Sequence, residues 1–353
     1  MSNDKNNNIS SRSTGRVTLS DVAAKAGVSP ITASRALKSP DQVSEKLRVK
    51  IYAAVSELGY IPNHAARSLA SSETKIISVI FPSLSNAVFP DVLDGIHDTL
   101  TPAGYRILLA NTHYAMDQEE ALVRTLLEQS PDGIIVTGID QNESTRKLLL
   151  NSNTPVVQIM ELTDCPIDMN VGFSHFQASY DLVRHLQNSG YKKIGFIGAR
   201  MDPRSQRRME GYKQAMHEYS ETNERYVITS QSNTSFKLGG KLFTQLFTEC
   251  PELEAICFSN DDLAAGAIFE CNRKGIRIPE DISIAGFNDL HFSEELIPPL
   301  TTVSIPLYEM GKKAAEYLLY KIEHRTVPPS VQHDVGYSVI ERKSTYANLE
   351  SKK

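Results

Sequence analysis

The stretch Val17-Thr18-Leu19-Ser20-Asp21-Val22-Ala23-Ala24-Lys25-Ala26-Gly27-Val28-Ser29-Pro30-Ile31-Thr32-Ala33-Ser34-Arg35-Ala36-Leu37 decides how the N-terminal region is read. Thr18 with Asp21 three residues on has the form of a helix start, the hydroxyl accepting from the first turn. Val22, Ala23 and Ala26 give the helix that follows an apolar face. Gly27 suits the left-handed position of a tight turn. Val28 then packs inward and Ser29 is a second cap. Pro30 takes the first helical position, where its missing N–H costs nothing. This second helix is predicted over about 30–37.

A Pro40-Asp41 turn follows, and Ser44 is read as the cap of a third helix. Leu47, Ile51, Ala54, Val55 and Leu58 form its apolar stripe at helical spacing, and Gly59 ends it. Leu19, Val22, Val28, Ala33, Leu37, Val43, Leu47, Ile51 and Val55 are the predicted core. Two short helices joined by a glycine turn form a helix-turn-helix. Spacing alone leaves open a plain three-helix scaffold.

Charge adds a second indication. The chain of 353 residues has a net charge of −5, which by itself argues against nucleic acid. Between Arg12 and Ala70, however, nine basic side chains face four acidic ones. The remaining body is correspondingly acidic. A basic head on an acidic body is the footprint of a small nucleic-acid-binding module.

The length suits two or three domains. A composition of 41% hydrophobic and 22% charged residues fits a globular chain. No apolar run approaches the roughly 18 residues of a membrane span. Residues 1–16 are polar, lack the apolar centre of a signal peptide, and are expected to form a disordered tail of a cytoplasmic protein. Cys165, Cys250, Cys257 and Cys271 lie far apart and read as reduced thiols. The nine histidines show no metal-like spacing. Nucleotide-cradling loops, nucleophile elbows and H-E-x-x-H patterns are missing. The expectation is no metal, no cofactor and no enzymatic activity.

From Lys75 on, short apolar runs alternate with helical patterns. Strands are predicted at 76–81, 106–110, 133–137 and 156–160, with helices near 88–103, 117–130 and 142–152. A second series places strands at 194–198, 226–229, 255–259 and 282–287, with helices near 176–189, 204–219, 236–249 and 261–274. Such alternation gives parallel sheets with helices on both faces, and two series give two doubly wound α/β lobes. Ligands in such sheets sit at the carboxyl ends of the strands. Ser83, Asn86, Phe89, Glu161, Arg200, Asn260, Asp261 and Asn288 lie at those ends. Asp261 could equally cap its helix.

The wording of these segments resembles the LacI family of lactose- and purine-repressor-type regulators. The resemblance rests on Val17–Ala23, Ala26–Ser29, Ser34-Arg35, and Leu58-Gly59-Tyr60-Ile61-Pro62-Asn63 with Ala66 and Leu69. It continues through the body to about residue 340. It implies an all-α head over 17–62, a hinge helix and linker over 63–74, and a periplasmic-binding-protein-like core. The core lobes would be 75–174 with 303–334, and 175–300 with 335–345, with crossings near 172–175, 299–303 and 333–337. In the family the second helix of the head enters the major groove. Arg35 then matches the guanine reader, with Pro30 and Ile31 facing base edges. Thr18, Ser29, Thr32, Ser34 and Asn63 match phosphate contacts. Pro30 and Ile31 depart from the usual hydrogen-bonding pair, so readout there must be apolar. Leu69 matches the hinge residue that wedges into the minor groove, and Ala66 lets twin hinges approach. A plain linker is the alternative reading of this segment.

Arg208, three residues before Gly211-Tyr212, matches the family's effector-binding arginine, although a lone helical arginine is usually solvated. Asn288 stands where many sugar-binding relatives have aspartate. Losing that carboxylate near Arg200 and Arg208 favours an anionic effector, because arginine grips carboxylate bidentately. Val171–Ala178, Gly198–Asp202, Gly211–Met216 and Asn260–Ala264 resemble the gluconate-operon repressor branch. The resemblance therefore implies a repressor of two-fold symmetric operator DNA. It would be a homodimer without membrane association, controlled by gluconate or a related sugar acid. The alternatives are a cytoplasmic sugar-binding protein, or a regulator answering to a neutral sugar or nucleobase.

Overall fold

A computed structural model describes residues 17–61, 73–219 and 223–345, with only the backbone given for Tyr219. The chain divides into two compact units, Met1–Thr74 and Lys75–Lys353.

The first unit contains α1 (Leu19–Ala26), α2 (Pro30–Lys38) and α3 (Glu45–Leu58), with one 3-10 turn at Pro40–Gln42. Thr18 and Asp21 close a reciprocal cap: the Asp21 amide donates to Thr18 Oγ1 at 3.3 Å, and the Thr18 amide donates to Asp21 Oδ2 at 2.8 Å. Gly27 ends α1 with φ at 67° and donates to the carbonyls of Ala23 and Ala24, a backbone geometry that costs an L side chain. Ser44 occupies the cap position of α3, but its side chain makes no capping bond, contrary to expectation. The core is Val22, Ala36, Val43, Ile51 and Ala54, closed by half-buried Val28, Leu47, Val55 and Leu58. Leu19 and Leu37 stay half-exposed at its margin.

The second unit holds two parallel sheets. In the first, the strands are β1 (Ile76–Phe81), β2 (Arg106–Asn111), β3 (Gly133–Thr137), β4 (Val156–Glu161), β5 (Met169–Phe173) and β11 (Gln332–Asp334). Their order is β11-β5-β4-β3-β1-β2. The second sheet, in the order β7-β6-β8-β9, uses β6 (Ile194–Ala199), β7 (Val227–Ser230), β8 (Ala255–Phe258) and β9 (Ser283–Ala285). The inner strands are almost wholly apolar because helices cover both faces. On the first sheet these helices are α4 (Val88–Leu100), α5 (Met116–Leu127) and α6 (Glu143–Asn151). On the second they are α7 (His175–Asn188), α8 (Pro203–Tyr219), α9 (Phe236–Glu249) and α10 (Asp261–Lys274). A separate two-stranded sheet pairs β10 (Thr302–Ser304) and β12 (Ser338–Ile340) antiparallel.

Several elements were not foreseen from sequence. The longest is α11 (Leu307–His324), which packs on α4. Its buried stripe of Leu307, Met310, Gly311, Ala314, Ala315 and Leu318 follows helical spacing. β5, β10, β11 and β12 are three to five residues long, too short to show a period. Predicted strand 226–229 starts one residue later, because Tyr226 completes a 3-10 turn at Glu224–Tyr226. No helix among the described residues is long and apolar enough to cross a membrane.

Candidate nucleic-acid interface and ligand cleft

In the first unit α2 is sharply two-faced. Ala33 and Ala36 are buried, whereas Pro30, Ile31, Ser34 and Arg35 are exposed together. Ile31 is 71% exposed on this face. The Ser29 hydroxyl accepts from the Thr32 amide at 3.2 Å and shares a hydrogen bond with Thr32 Oγ1 at 2.9 Å, so both define the start of α2. Thr18 marks the start of α1 in the same way. Asn63, Ala66 and Leu69 lie outside the described residues.

In the second unit a cavity of about 40 Å³ lies between the two sheets. Its lining comes from the carboxyl end of one parallel strand after another, where backbone groups run out of partners. Asn86 follows β1, Tyr114 follows β2 and Met160 is the penultimate residue of β4. Arg200 follows β6, Thr234 follows β7, Asn260 follows β8 and Asn288 follows β9. Of the residues expected at an effector site, Asn86, Phe89, Arg200, Arg208, Asn260 and Asn288 line this cavity. Ser83, Glu161 and Asp261 do not. Ser83 bonds Ser85 at 3.1 Å within its own loop. Asp261 is fully buried and accepts from the Leu290 amide (2.9 Å), Ser293 Oγ (2.8 Å) and Thr302 Oγ1 (2.7 Å). It ties three segments together, and neither role expected for it matches this placement. The cap of α10 is Asn260, which accepts from the Leu263 amide at 3.1 Å.

Arg208 is the centre of the cleft. Its Nε donates to His175 Nδ1 at 3.1 Å, its Nη2 to Asn288 Oδ1 at 3.2 Å, and its Nη1 to the Ser259 carbonyl. The guanidinium carbon lies 3.8 Å from the centre of the Phe287 ring. Local sequence explains this seating. A Cβ on Gly211 would come within 2.1 Å of the Phe176 carbonyl, so only glycine lets α8 rest on the start of α7. The Tyr212 hydroxyl then anchors the helix by donating to the Ile194 carbonyl at 2.7 Å. Together they bring Arg208 against His175. That arrangement gives the Arg-x-x-Gly-Tyr spacing a physical meaning.

Electrostatics separates two neighbouring arginines. Arg204, one turn before Arg208, has Asp202 at 3.4 Å. Burial works against its cation, but Asp202, Tyr114, Asp140 and Glu161 together outweigh it and the guanidinium holds its proton more tightly than usual. Arg208 forms no ion pair among the described residues. Burial, with Arg204 adding to it, pushes it down to about 10 against the opposing pull of Asp202, Asp261 and Glu161. His175 is fully buried, and burial with Arg208 and Arg204 drives it far below the ordinary imidazole range. It is neutral, and its Nδ1 accepts the hydrogen bond from Arg208 Nε. Glu161 is pushed up to about 7 by burial, against hydrogen bonds from the Leu162 and His175 amides. The arrangement contains a desolvated cation held only by neutral acceptors, which favours an added anion.

Sequence reasoning missed Tyr114, Asp202, Arg204, Ser205 and Thr234, all of which line the cavity. Arg204 carried a signal, since it lies four residues before Arg208 on one helix face. Tyr114 carried none, being a single aromatic in a loop. Among the described residues no group of three or more His, Cys, Asp or Glu side chains could hold a metal ion.

A basic helix-turn-helix unit on the same chain as a two-lobed α/β unit with a polar cleft defines a DNA-binding transcriptional regulator. Residues 18–63 match bacterial regulatory proteins of the lacI family, and residues 183–345 match the periplasmic binding protein-like domain. The HTH-type transcriptional regulator GntR of Pseudomonas aeruginosa is 40% identical over 97% of this chain and 98% of its own length. The chain therefore belongs to the LacI family. A LacI-family transcriptional regulator from Silicibacter pomeroyi superposes with a TM-score of 0.87 at 31% identity, covering 94% of this chain and all of that one. The lac repressor dimer, bound to operator and the anti-inducer ONPF, superposes with a TM-score of 0.79 at 26% identity over 94% of this chain and 99% of that one.

Proposed function

We propose that this protein is a homodimeric, cytoplasmic repressor whose operator affinity is lowered by a sugar acid, gluconate or a close derivative. The observation that carries the effector assignment is Arg208, a buried cation with three neutral hydrogen-bond partners and no ion pair among the described residues. A carboxylate replacing solvent there would gain a charge-assisted, two-pronged contact and restore the guanidinium's ordinary proton affinity. Asn288 stands beside Arg208 as a neutral amide, so nothing at that point repels an anion. The 40% identity to a GntR regulator supports the same effector class.

On this reading two heads, held by paired cores, present Arg35 to guanine and Pro30 and Ile31 to thymine methyl groups. Thr18, Ser29, Thr32, Ser34 and Asn63 position the head on phosphates. The hinge folds on specific DNA, with Ala66 at the close approach and Leu69 in the central base step. Effector binding moves the lobes against each other and separates the hinges. Leu69→Ala should weaken binding to the specific operator far more than binding to random DNA in a gel shift. Equal losses would remove the wedge. Isothermal titration tests the effector directly. Gluconate or its 6-phosphate should release heat and glucose should not. Heat from the neutral sugar alone would overturn the assignment.

A further inference from the structure

Tyr114 belongs to no motif, yet its ring faces Arg200 across the cleft. The Arg200 guanidinium carbon lies 3.9 Å from the ring centre, a stacking distance at which cation and π-face attract. Tyr114 projects from the loop between β2 and α5 in one lobe, and Arg200 from the loop after β6 in the other. Asn86 Nδ2 donates to the Tyr114 hydroxyl at 3.2 Å and fixes the ring on its own lobe. The Arg200 amide donates to the Ser232 carbonyl at 3.0 Å and fixes the other side.

Both loops are strained in the same way. His113 and Tyr114 have φ of 52° and 62°, and Arg200 and Met201 have φ of 62° and 44°. Consecutive left-handed residues that are not glycine are costly and persist where surrounding structure demands them. Arg200 forms no ion pair with any described carboxylate, whereas neighbouring Arg204 has Asp202 at 3.4 Å. The ring of Tyr114 is thus the main partner of a cation at the cavity wall. With the stack made, the cavity is about 40 Å³, far below the several hundred Å³ of an ordinary small-molecule site.

We propose that Tyr114 is a positioning residue of the cleft: it latches Arg200 across the two lobes, and the stack must break to admit the effector and re-form over it. The second half rests on the reading that this cleft holds the effector. The latch itself does not.

The sequence has no tryptophan, so Tyr114→Trp gives a single indole in place of the ring and keeps the cation–π contact. Acrylamide quenching of full-length Tyr114→Trp, without effector, is compared with Tyr114→Trp combined with Arg200→Met or Arg200→Lys. The introduced indole should be quenched about threefold more readily with Arg200→Met, and Arg200→Lys should restore most of the shielding. Equal quenching in all three, with unchanged melting temperatures, would overturn the latch. Stopped-flow mixing with gluconate then tests the gate. Tyr114→Leu should raise both association and dissociation rate constants about threefold or more, and Tyr114→Phe should stay near wild type. Unchanged rates for Tyr114→Leu would overturn the gate. Absence of gluconate binding to wild-type protein would remove the effector assignment and leave the quenching result standing.

Discussion

Arg208 is expensive to bury, and the fold surrounds it with His175, Ser259 and Asn288, each a neutral acceptor. A planar fork of donors suits those three directions, and a lysine ammonium does not. Arg208→Lys should therefore weaken gluconate binding by about 2 kcal/mol or more, roughly thirtyfold in Kd by titration calorimetry. Operator binding in the absence of effector should be retained. Undiminished gluconate affinity would separate Arg208 from the effector. Glu161 makes a second prediction. Its carboxyl is pushed from 4.5 up to about 7 by burial. The unfolded chain loses this proton near 4.5, while the folded chain holds it until about 7. Stability therefore falls with rising pH across that window, and the cost is fully present above it. Glu161→Gln should raise the melting temperature at pH 8, by removing a cost on the order of 1–3 kcal/mol, and change little at pH 4. A pH-independent shift would contradict this. At this scale the strand-end positions were legible, because parallel sheets expose ligands there. Ser83, Glu161 and Asp261 share that position but turn their side chains into local bonding or burial, which spacing does not reveal.

Helix pairs carry these residues into place. α8 reaches the start of α7 only because Gly211 has no side chain opposite the Phe176 carbonyl. Gly211→Ala should destabilise the core by about 1–3 kcal/mol in denaturant unfolding, the usual cost of overpacking. It should also weaken gluconate binding, since displacing α8 pulls Arg208 from His175. Destabilisation with unchanged effector affinity would show that the seating of α8 does not set the site. The head was readable at this scale because its caps and glycine turn are local. Thr18 with Asp21, and Gly27 at a φ of 67°, are decided within one turn of chain. α11 was not read, although its buried residues recur at helical spacing, because no strand signal framed it. The short strands β10 and β12 owe their existence to each other, paired from Thr302 with Ile340 to Ser304 with Ser338. No local window contains both.

For the whole molecule, the proposed control runs through residues 62–72, which lie outside the described residues. If effector weakens operator binding, operator must weaken effector binding by the same factor. The head's chemistry lies in Arg35 and Ile31, exposed on α2, and the cleft's in the surroundings of Arg208. Only a measurement that reads both units at once joins them. The most direct is fluorescence anisotropy of the full-length protein on a labelled palindromic operator, selected with the same protein, as gluconate is added. The operator Kd should rise about tenfold at saturating gluconate, within the usual 1–3 kcal/mol of allosteric coupling, and glucose should leave it unchanged. An operator affinity indifferent to gluconate and its 6-phosphate, or one that answers to glucose instead, would contradict the account.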